Sequence, residues 1–479
     1  MSPSTPLPSG LVAFVKRDCP TCELVVPVLE QISAKESLTV YTQDDPAFPP
    51  GIPAVDDTSL EQSWHHQIET VPTLIRVEDG EERERVLGWQ REEWEALTGI
   101  PALGAGLPGL RPGCGSLSVD PSRLSELRVR FGGSKLHARR VELAELEDEM
   151  EAMYARGWSD GLPIAAPTEK RVLEMLEGTT RAPDDVVATV PPDLVACTVE
   201  KVAINAVMAG CKPEYLPVVL AAVEAACTDR FNMHGVIATT MGVGPIVVVN
   251  GPIRRAIGMN SGMNVLGQGN RANATIGRAL QLVVRNVGGG RPGEVDRATY
   301  GNPGKLGFCF AEDEENSPWG PLSADLGAEP GTSTVTVFAG EGPRNVIDQR
   351  SREPVSLARS LAATLRTVQH PKLAIGYDAM LVIGPEHARV LKDAGWSKEQ
   401  LIEKLTELLT IPGEEMMRGV DEIAEGMPES FRAQTVTKFR PGGLLVVHCG
   451  GSAGLFSAIL GGWASGPKGS QPAVQEIRP

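Results

Sequence analysis

The sequence predicts an α/β protein with a small N-terminal domain and a large C-terminal α/β domain. Three observations lead to this prediction. The 479 residues are more than one domain usually holds. A short apolar strand near the N-terminus is followed by a turn and a helix start. Three later segments share the order strand, Gly-containing turn and helix, which is typical of α/β domains.

The predicted domain boundaries follow changes in composition along the chain. Residues 1–99 are assigned to the small domain and residues 124–465 to the large one. Residues 100–123 between them are rich in Gly and Pro and are interpreted as a linker. Residues 466–479 are interpreted as a flexible tail.

Composition and charge narrow the class of function. A net charge of -16, from 45 basic and 61 acidic residues, argues against nucleic acid or an anionic membrane as a partner. The N-terminus lacks the basic and apolar regions of a secretory signal. Eight cysteines without such a signal fit the reducing cytoplasm, where thiols stay free or act in catalysis. We expect a cytoplasmic protein, and a homo-oligomer is compatible with the sequence.

The strongest chemical signal is a CxxC motif, Cys19 to Cys22, directly after the apolar strand Leu11–Val15. The unpaired N–H groups and positive dipole of a helix start stabilise a thiolate, which is the nucleophilic form of cysteine. The two-residue gap would let Cys22 resolve a mixed disulfide formed at Cys19. A zinc site is the alternative, but it requires a second CxxC that this sequence lacks.

The elements after this motif complete a small domain. Glu78–Glu81 has the composition of a hairpin turn between two strands. The predicted strands are Leu38–Gln43, Thr70–Val77 and Glu82–Leu87, and the predicted helices are Thr58–Gln67 and Arg91–Thr98.

This order, together with Pro27 five residues after the second cysteine and the Val71-Pro72-Thr73 motif, resembles the thioredoxin superfamily. The first strand and helix of a full thioredoxin are missing, so the resemblance is to a minimal, glutaredoxin-sized fold over residues 10–99. It implies that Cys19 is the nucleophile, Cys22 the resolving thiol and Pro72 a cis-proline that shapes the substrate cleft. The sequence departs from the family pattern in having Asp18 before the first cysteine, where Trp is usual, and Pro-Thr inside the motif.

Cys114 lies in the Gly/Pro-rich segment between the domains. One interpretation is a chance cysteine in a loop. The other is an exposed thiol on a flexible arm that could reach Cys19. Both stay open at the level of the sequence.

The large domain begins with an amphipathic helix predicted at Val141–Arg156. Further on, the three similar segments contain the apolar strands Ile246–Val249, Ala379–Ile383 and Leu444–Val447. Their repetition predicts a parallel sheet, in which ligands bind at the carboxyl ends of the strands.

The loop Gly258–Arg278 is the first candidate site in the large domain because it is dense in glycine, amides and arginine. Such a loop could bring N–H groups and amides to a small polar or anionic substrate. A solvated capping loop is the alternative, and the spacing matches no phosphate-binding fingerprint. The candidate substrate-binding residues are Asn260, Asn264, Asn270, Arg271, Asn273 and Arg278.

Three further features of the large domain have both a functional and a structural interpretation. Cys449 follows a strand and precedes a Gly-rich turn and a predicted helix, so it is either a second redox thiol or a small buried residue. His234 is either a substrate-contacting acid or base or a structural histidine. The acidic run Glu312–Asn316 could bind a metal, but a solvated loop is favoured. We predict no metal site and no cofactor.

The large domain resembles bacterial proteins of no assigned activity, through patterns such as GWSDGLPIAAPTEKRVLEML and GQGNRANATIGRALQLVVRNVGG. This likeness implies a shared fold but no reaction. The leading hypothesis is a thiol–disulfide oxidoreductase whose CxxC, recharged by an unidentified thiol reductant, delivers electrons to the large domain. The alternatives are a sulfur-transfer or carbon–sulfur enzyme using a cysteine persulfide, a binding or assembly protein, and a thiol-independent hydrolase or lyase with a redox switch.

Overall fold

The computed structural model describes residues 6–133, 136–144, 146–371, 374–417, 429–466 and 468–479. The chain divides into two compact units, Met1–Lys135 and Leu136–Pro479. Each unit contains a mixed β-sheet with helices, so the predicted α/β class is confirmed. Among the described helices, none is both long enough and apolar enough to cross a membrane.

The first unit is built on a five-stranded sheet in the order β3-β2-β1-β5-β6. β1 runs parallel to β2 and antiparallel to β5. The strands of this unit are β1 (Gly10–Val15), β2 (Leu38–Thr42), β3 (Ala54–Asp56), β4 (Thr70–Val71), β5 (Thr73–Glu78), β6 (Glu81–Leu87), β7 (Trp89–Gln90), β8 (Leu110–Arg111) and β9 (Cys114–Gly115). The helices are α1 (Pro20–Ser33), α2 (Glu61–His65), α3 (Arg91–Thr98) and α4 (Pro121–Phe131), with a 3-10 turn at Leu117–Val119.

Helix α1 follows β1 after a turn of four residues and begins at Pro20, whose missing N–H costs nothing at a first helical position. Its buried positions recur at helical spacing, and Pro27 lies inside the helix. These apolar side chains share one core with the strands β1 and β5. The core therefore fixes the start of α1, and with it the CxxC motif.

The segment that the sequence predicted as a linker is folded against the first unit. Leu103 is fully buried in its core. The Trp89 indole donates a hydrogen bond to the Pro108 carbonyl at 2.6 Å. β8 pairs with β7, and β9 pairs with β4. We call residues 103–118 the strap, because they cross the unit from its core to the CxxC motif.

The second unit contains a seven-stranded mixed sheet in the order β13-β12-β14-β19-β15-β18, with β20 also on β14. Its strands are β10 (Val186–Val190), β11 (Val195–Thr198), β12 (Gly244–Asn250), β13 (Cys309–Ala311), β14 (Thr334–Ile347), β15 (Tyr377–Ile383), β16 (Thr410–Pro412), β17 (Thr435–Thr437), β18 (Leu444–His448), β19 (Phe456–Ala464) and β20 (Ala473–Glu476).

The helices of the second unit are α5 (Glu149–Ala155), α6 (Glu169–Leu176), α7 (Val199–Ala209), α8 (Leu216–Ala226), α9 (Met233–Ala238), α10 (Ile253–Ala256), α11 (Arg271–Asn286), α12 (Leu322–Asp325), α13 (Pro354–Leu365), α14 (Pro385–Asp393), α15 (Lys398–Leu408) and α16 (Gly413–Met417). Short 3-10 turns lie at Pro213–Tyr215, Pro303–Leu306 and Glu429–Phe431.

The long strand β14 joins two halves of this sheet. Its first half pairs with β12 and β20, and its second half pairs with β19. Alternate residues of each strand face opposite sides. Val247 belongs to the core formed with α7, α8 and α11, whereas Val248 belongs to a core shared with Met380 from the other half. Leu381 belongs to a third core with α13 and α15. The half-sheets therefore pack face to face, with helices outside both.

Several sequence predictions for the second unit differ from the structure. The predicted parallel sheet is mixed, because β19 runs antiparallel to both β14 and β15. The predicted helix after Cys449 is the strand β19. The first helix is confined to Glu149–Ala155. The predicted tail contains β20, which extends the sheet at β14.

Candidate redox site

The site begins at the turn that connects β1 to α1. Cys19 is the N-cap residue of α1, and its sulfur accepts a hydrogen bond from the Cys22 N–H at 3.3 Å. The Asp44 carboxylate accepts hydrogen bonds from the backbone N–H groups of Arg17 and Asp18, at 2.7 and 2.9 Å. These two hydrogen bonds fix the turn that places Cys19 at the N-cap of α1.

A third cysteine lies against this motif. The Sγ atoms of Cys19 and Cys114 are 2.8 Å apart. Cys114 is on β9, which pairs antiparallel with β4 so that Cys114 lies opposite Val71. The Cys19 sulfur is also 3.5 Å from the Val71 carbonyl oxygen. The Val71–Pro72 peptide is cis, as the resemblance to the thioredoxin superfamily implied.

Contacts on both sides of Cys114 hold the strap in place. On the motif side, the Thr21 hydroxyl donates to the Pro112 carbonyl at 2.7 Å. On the far side, the Lys16 ammonium donates to the Gly115 carbonyl at 2.9 Å. The buried Gln43 amide donates to the Ser116 hydroxyl at 2.6 Å. Cys114 is therefore a fixed part of the site, and not a thiol on a flexible arm.

Gly113 is required for this close approach. A Cβ atom at this position would lie 2.4 Å from the Thr70 methyl carbon and 2.8 Å from the Val71 carbonyl oxygen. These distances are far below van der Waals contact, and the second atom is part of the backbone. A side chain at residue 113 would push the strap away from β4, and Cys114 would move with it.

The three thiols have different pKa values. A hydrogen bond from the Cys22 side chain and one from Cys114 lower the pKa of Cys19 to about 5, against the effect of burial. Burial raises the pKa of Cys22, and its hydrogen bond to Cys19 raises it further. Burial, followed by the hydrogen bond to Cys19, also raises the pKa of Cys114. At neutral pH, Cys19 is a thiolate between two protonated thiols.

Access to the three sulfurs also differs. Cys19 is 1% exposed and Cys22 is fully buried. Cys114 is partly exposed. The strap therefore covers Cys19, and Cys114 is the most exposed sulfur of this group.

Cys449, predicted as a second redox thiol, has a different environment. It is 1% exposed and packs in the core between the two half-sheets. Burial raises its pKa well above the usual cysteine value, and the nearby Glu312 and Asp313 carboxylates raise it further. The turn after Cys449 leads to the strand β19 and not to the predicted helix. Cys449 is accordingly a buried protonated thiol.

The amides of the loop Gly258–Arg278 are hydrogen-bonded to the loop itself. Asn273 donates to the Asn260 carbonyl at 2.9 Å and accepts from the Asn260 N–H at 3.0 Å. Asn270 caps α11 and donates to the Gly258 carbonyl at 2.8 Å. Asn264 donates to the Gln268 carbonyl at 2.7 Å. These side chains fix the shape of the loop.

The arginines of that loop also bind within the fold. Arg271 donates to the Gly210 carbonyl at 2.9 Å. Arg278 forms two hydrogen bonds of 2.8 Å with the carboxylate of Asp160. His234 lies on α9 with its side chain exposed, and it is not among the residues that line the cavity described next.

The structure brings two of the predicted regions to one cavity through their backbones. The cavity has a volume of about 620 Å³ and lies at the carboxyl ends of the parallel strands β15 and β18. The Gly450 N–H donates to the Ser261 carbonyl at 2.9 Å, which joins the loop to the turn after β18. The lining residues that matter here are Gly262, Asp313, Arg389, Lys392, His448 and Gly451.

His448 is the buried polar side chain of this cavity. It is 2% exposed, and its Nδ1 lies 3.0 Å from the Ile383 carbonyl oxygen, so Nδ1 carries the proton. Its Nε2 has no hydrogen-bond partner among the described residues. Burial lowers the pKa of His448. Nε2 is therefore a buried, unprotonated acceptor in a residue that lines the cavity.

The acidic run Glu312–Asn316 forms a polar network. Glu312 is buried and accepts a hydrogen bond from the Asn250 amide at 2.7 Å. Burial raises its pKa to about 7. Glu315 pairs with Arg254 at 3.0 Å. Within the described ranges, no group of three or more His, Cys, Asp or Glu side chains is arranged to hold a metal ion.

No model of a known protein family matches the chain, and a search of curated proteins found no relative. The assignment of function therefore depends on the geometry of the two sites.

Proposed function

We propose that the first unit is a thioredoxin-like thiol–disulfide oxidoreductase in which Cys19 attacks and Cys22 resolves. The observation that carries this proposal is the position of the Cys19 sulfur at the N-cap of α1, where it accepts the Cys22 N–H. The low pKa of Cys19 supports the same role, because the thiolate is the attacking species.

The proposed reaction has two exchange steps. The Cys19 thiolate attacks one sulfur of a partner disulfide, the partner S–S bond breaks, and the other partner sulfur leaves as a thiolate. Cys22 then loses its proton and attacks the Cys19 sulfur. The second partner sulfur leaves, and the chain holds a Cys19–Cys22 disulfide. Two electrons have passed to the partner, and a thiol reductant restores the dithiol.

The high pKa of Cys22 is consistent with this sequence of steps. The negative charge of the Cys19 thiolate contributes to raising the pKa of Cys22. Once Cys19 is part of a mixed disulfide, that charge is gone and Cys22 loses its proton more easily. Cys22 is thus protonated while Cys19 is a thiolate, and it loses its proton more easily once the mixed disulfide has formed.

The partner cleft of this proposal is the strip beside Val71 and Pro72. In the structure this strip is paired with Cys114 of the strap. A partner disulfide would approach Cys19 along the same strip, next to the Val71 carbonyl.

A disulfide-reduction assay on the full chain tests the proposal. The substrate is a small aliphatic disulfide, dithiothreitol is the reductant, and the rate without protein is subtracted. We expect Cys19→Ser to abolish turnover, and we expect the double variant Cys22→Ser/Cys114→Ser to accumulate a mixed disulfide on Cys19. Cys449→Ser is the matched control for a buried cysteine and should leave turnover unchanged. Full turnover by Cys19→Ser would overturn the proposal.

For the second unit, we propose that the cavity at His448 binds a small polar or anionic molecule. The unpartnered Nε2 of a 2%-exposed histidine supports this, since a buried acceptor without a partner is unfavourable unless a ligand or water satisfies it. Arg389 and Lys392 line the cavity together with Asp313 and Asp393, and neither basic side chain forms an ion pair among the described residues. The predicted passage of electrons from the first unit to this molecule stays a prediction.

Imidazole nitrogen chemical shifts measure binding at this cavity directly. Titration with inorganic phosphate, whose P–OH group can donate to the unprotonated Nε2, should shift the His448 signal, and His448→Gln should lose that signal and bind more weakly. The exposed His234 is the control, and its signal should not move. A shift at His234 with none at His448 would exclude this cavity.

A further inference from the structure

We infer that Cys114 is a third redox-active cysteine, which occupies the position of a partner's sulfur against Cys19 and forms a disulfide with it. The inference rests on the proposed function, because it uses the same nucleophile. It adds an internal partner to the reaction, and it assigns the strap a chemical role.

The first support is the contact between the sulfurs. The Sγ atoms of Cys19 and Cys114 are 2.8 Å apart, and a disulfide bond is about 2.05 Å long, so a small side-chain adjustment suffices to form one. The Cys22 N–H reaches the same Cys19 sulfur at 3.3 Å. Cys19 therefore has a cysteine in contact on the helix side and another on the strap side.

The second support is that the backbone specifies this contact. Cys114 pairs with Val71 in a β-bridge, and Val71 precedes the cis proline of the proposed partner cleft. The Thr21 hydroxyl, from within the CxxC motif itself, binds the strap carbonyl of Pro112. The strap is therefore bound across the motif as an extended segment, which is the way that a partner peptide would bind along a strand edge.

The third support is the difference in exposure. Cys19 and Cys22 are closed off from solvent, whereas Cys114 is partly exposed. An exchange between the two disulfides would carry the oxidised state from the buried pair to a sulfur that external thiols can reach.

The exchange step balances without a further reagent. Beginning from a Cys19–Cys22 disulfide made by a partner disulfide, the Cys114 thiolate attacks the Cys19 sulfur. The Cys19–Cys22 bond breaks, a Cys19–Cys114 bond forms, and Cys22 leaves as a thiolate and takes up the proton that Cys114 released. The number of disulfides stays the same. In the reverse step, Cys22 attacks the Cys19 sulfur of the Cys19–Cys114 disulfide, as it would attack a mixed disulfide with a partner.

A purely electrostatic role for Cys114 is the competing explanation. In that case its thiol donates a hydrogen bond to the Cys19 thiolate and never forms a bond with it. The two roles differ in one product, the covalent link between residues 19 and 114, and this link can be measured.

The test is disulfide mapping on the full chain with Cys22→Ser, which removes the resolving thiol. The reduced variant is treated with oxidised glutathione, quenched in acid, alkylated and digested. We expect most of the tryptic peptide 18–35 to be linked to the peptide that contains Cys114. The double variant Cys22→Ser/Cys114→Ser should carry glutathione on Cys19 instead. Cys22→Ser/Cys227→Ser, which removes a partly exposed cysteine of the second unit, should behave like Cys22→Ser.

The outcomes separate this inference from the proposed function. If Cys19 in Cys22→Ser carries glutathione while Cys114 is alkylated, the inference is wrong and the proposed function stands. If Cys19 is alkylated in the wild type and in every variant, both are wrong. Cys22→Ala, treated in the same way, guards against a folding defect of the serine variant and should give the same link between residues 19 and 114.

Discussion

The three sulfurs grouped in the first unit differ in pKa. The pKa of Cys19 is lowered to about 5, chiefly by a hydrogen bond from the Cys22 side chain. Burial raises the pKa of Cys22 and of Cys114. Since the pKa of Cys19 falls on folding from 9.0, its thiolate stabilises the reduced fold fully above pH 9, and this contribution is lost as the pH falls through about 5. The reduced unit should therefore lose stability in acid through Cys19.

Ultraviolet thiolate absorbance of the reduced chain measures this pKa. The wild type should show a titration near pH 5 that is absent in Cys19→Ser. Cys114→Ala removes one of the hydrogen bonds to the thiolate, so the titration should move to higher pH. Cys227→Ala is the control and should leave it in place. An unchanged midpoint in Cys114→Ala would show that Cys114 does not stabilise the thiolate.

Arg278, which the sequence predicted to bind substrate, has a carboxylate partner within the fold. The sequence predicted substrate binding, and the structure pairs Arg278 with the mostly buried carboxylate of Asp160. Asp160→Asn should lower the free energy of unfolding by about 1–3 kcal/mol, because it leaves a poorly solvated guanidinium without its partner. Urea unfolding of the full chain measures the effect.

The matched control for this pair is Arg140→Gln, which breaks an ion pair with Glu169 through an exposed arginine. We expect a change of less than about 1 kcal/mol there. If Asp160→Asn unfolds like the wild type but binds phosphate more weakly, Arg278 belongs to a binding site, as the sequence predicted.

The strap packs into the core of the first unit and places Cys114 against Cys19. Its composition predicted a linker, because the segment is rich in Gly and Pro and its apolar residues follow neither helical nor strand periodicity. What the composition does not reveal is the set of non-local partners, such as the burial of Leu103 and the bridge from Cys114 to Val71. The Gly-Cys-Gly setting of Cys114 was the available signal, since it marks a place where the backbone can approach closely.

Gly113→Ala tests whether the strap controls access to Cys19. The new methyl group would meet Thr70 and Val71, and overpacking of this kind costs about 1–3 kcal/mol. If that cost opens the strap, Cys19 should be alkylated roughly 10- to 100-fold faster. Gly115→Ala is the matched control, because a Cβ there has nothing within 4 Å. Equal alkylation rates in the two variants would mean that the strap does not limit access.

The turn after β18 shows a second limit of sequence reasoning. The strand alternates between its two faces, so Cys449 falls on the face of Leu445 and Val447, in the core. The sequence predicted a reactive Cys449, although the unbroken apolar run before it already indicated a strand buried on both faces. His448, one residue earlier, is the group that lines the cavity.

For the whole molecule, local patterns predicted the elements better than their arrangement. The three apolar strands at Ile246, Ala379 and Leu444 are all present, and the α/β class holds in both units. Strand direction depends on partners far along the chain, and β19 reverses the direction between β14 and β15. Local sequence patterns do not determine which distant strands pair, so a parallel sheet was predicted where a mixed one is found.

One measurement tests the central claim most directly. The reduced full chain is treated with one equivalent of a small aromatic disulfide, and the state of all eight cysteines is mapped by mass spectrometry. We predict that two thiols are lost, Cys19 and either Cys22 or Cys114, while the five cysteines of the second unit stay free. An oxidised cysteine in the second unit, with Cys19 still a free thiol, would contradict the assignment of the redox site.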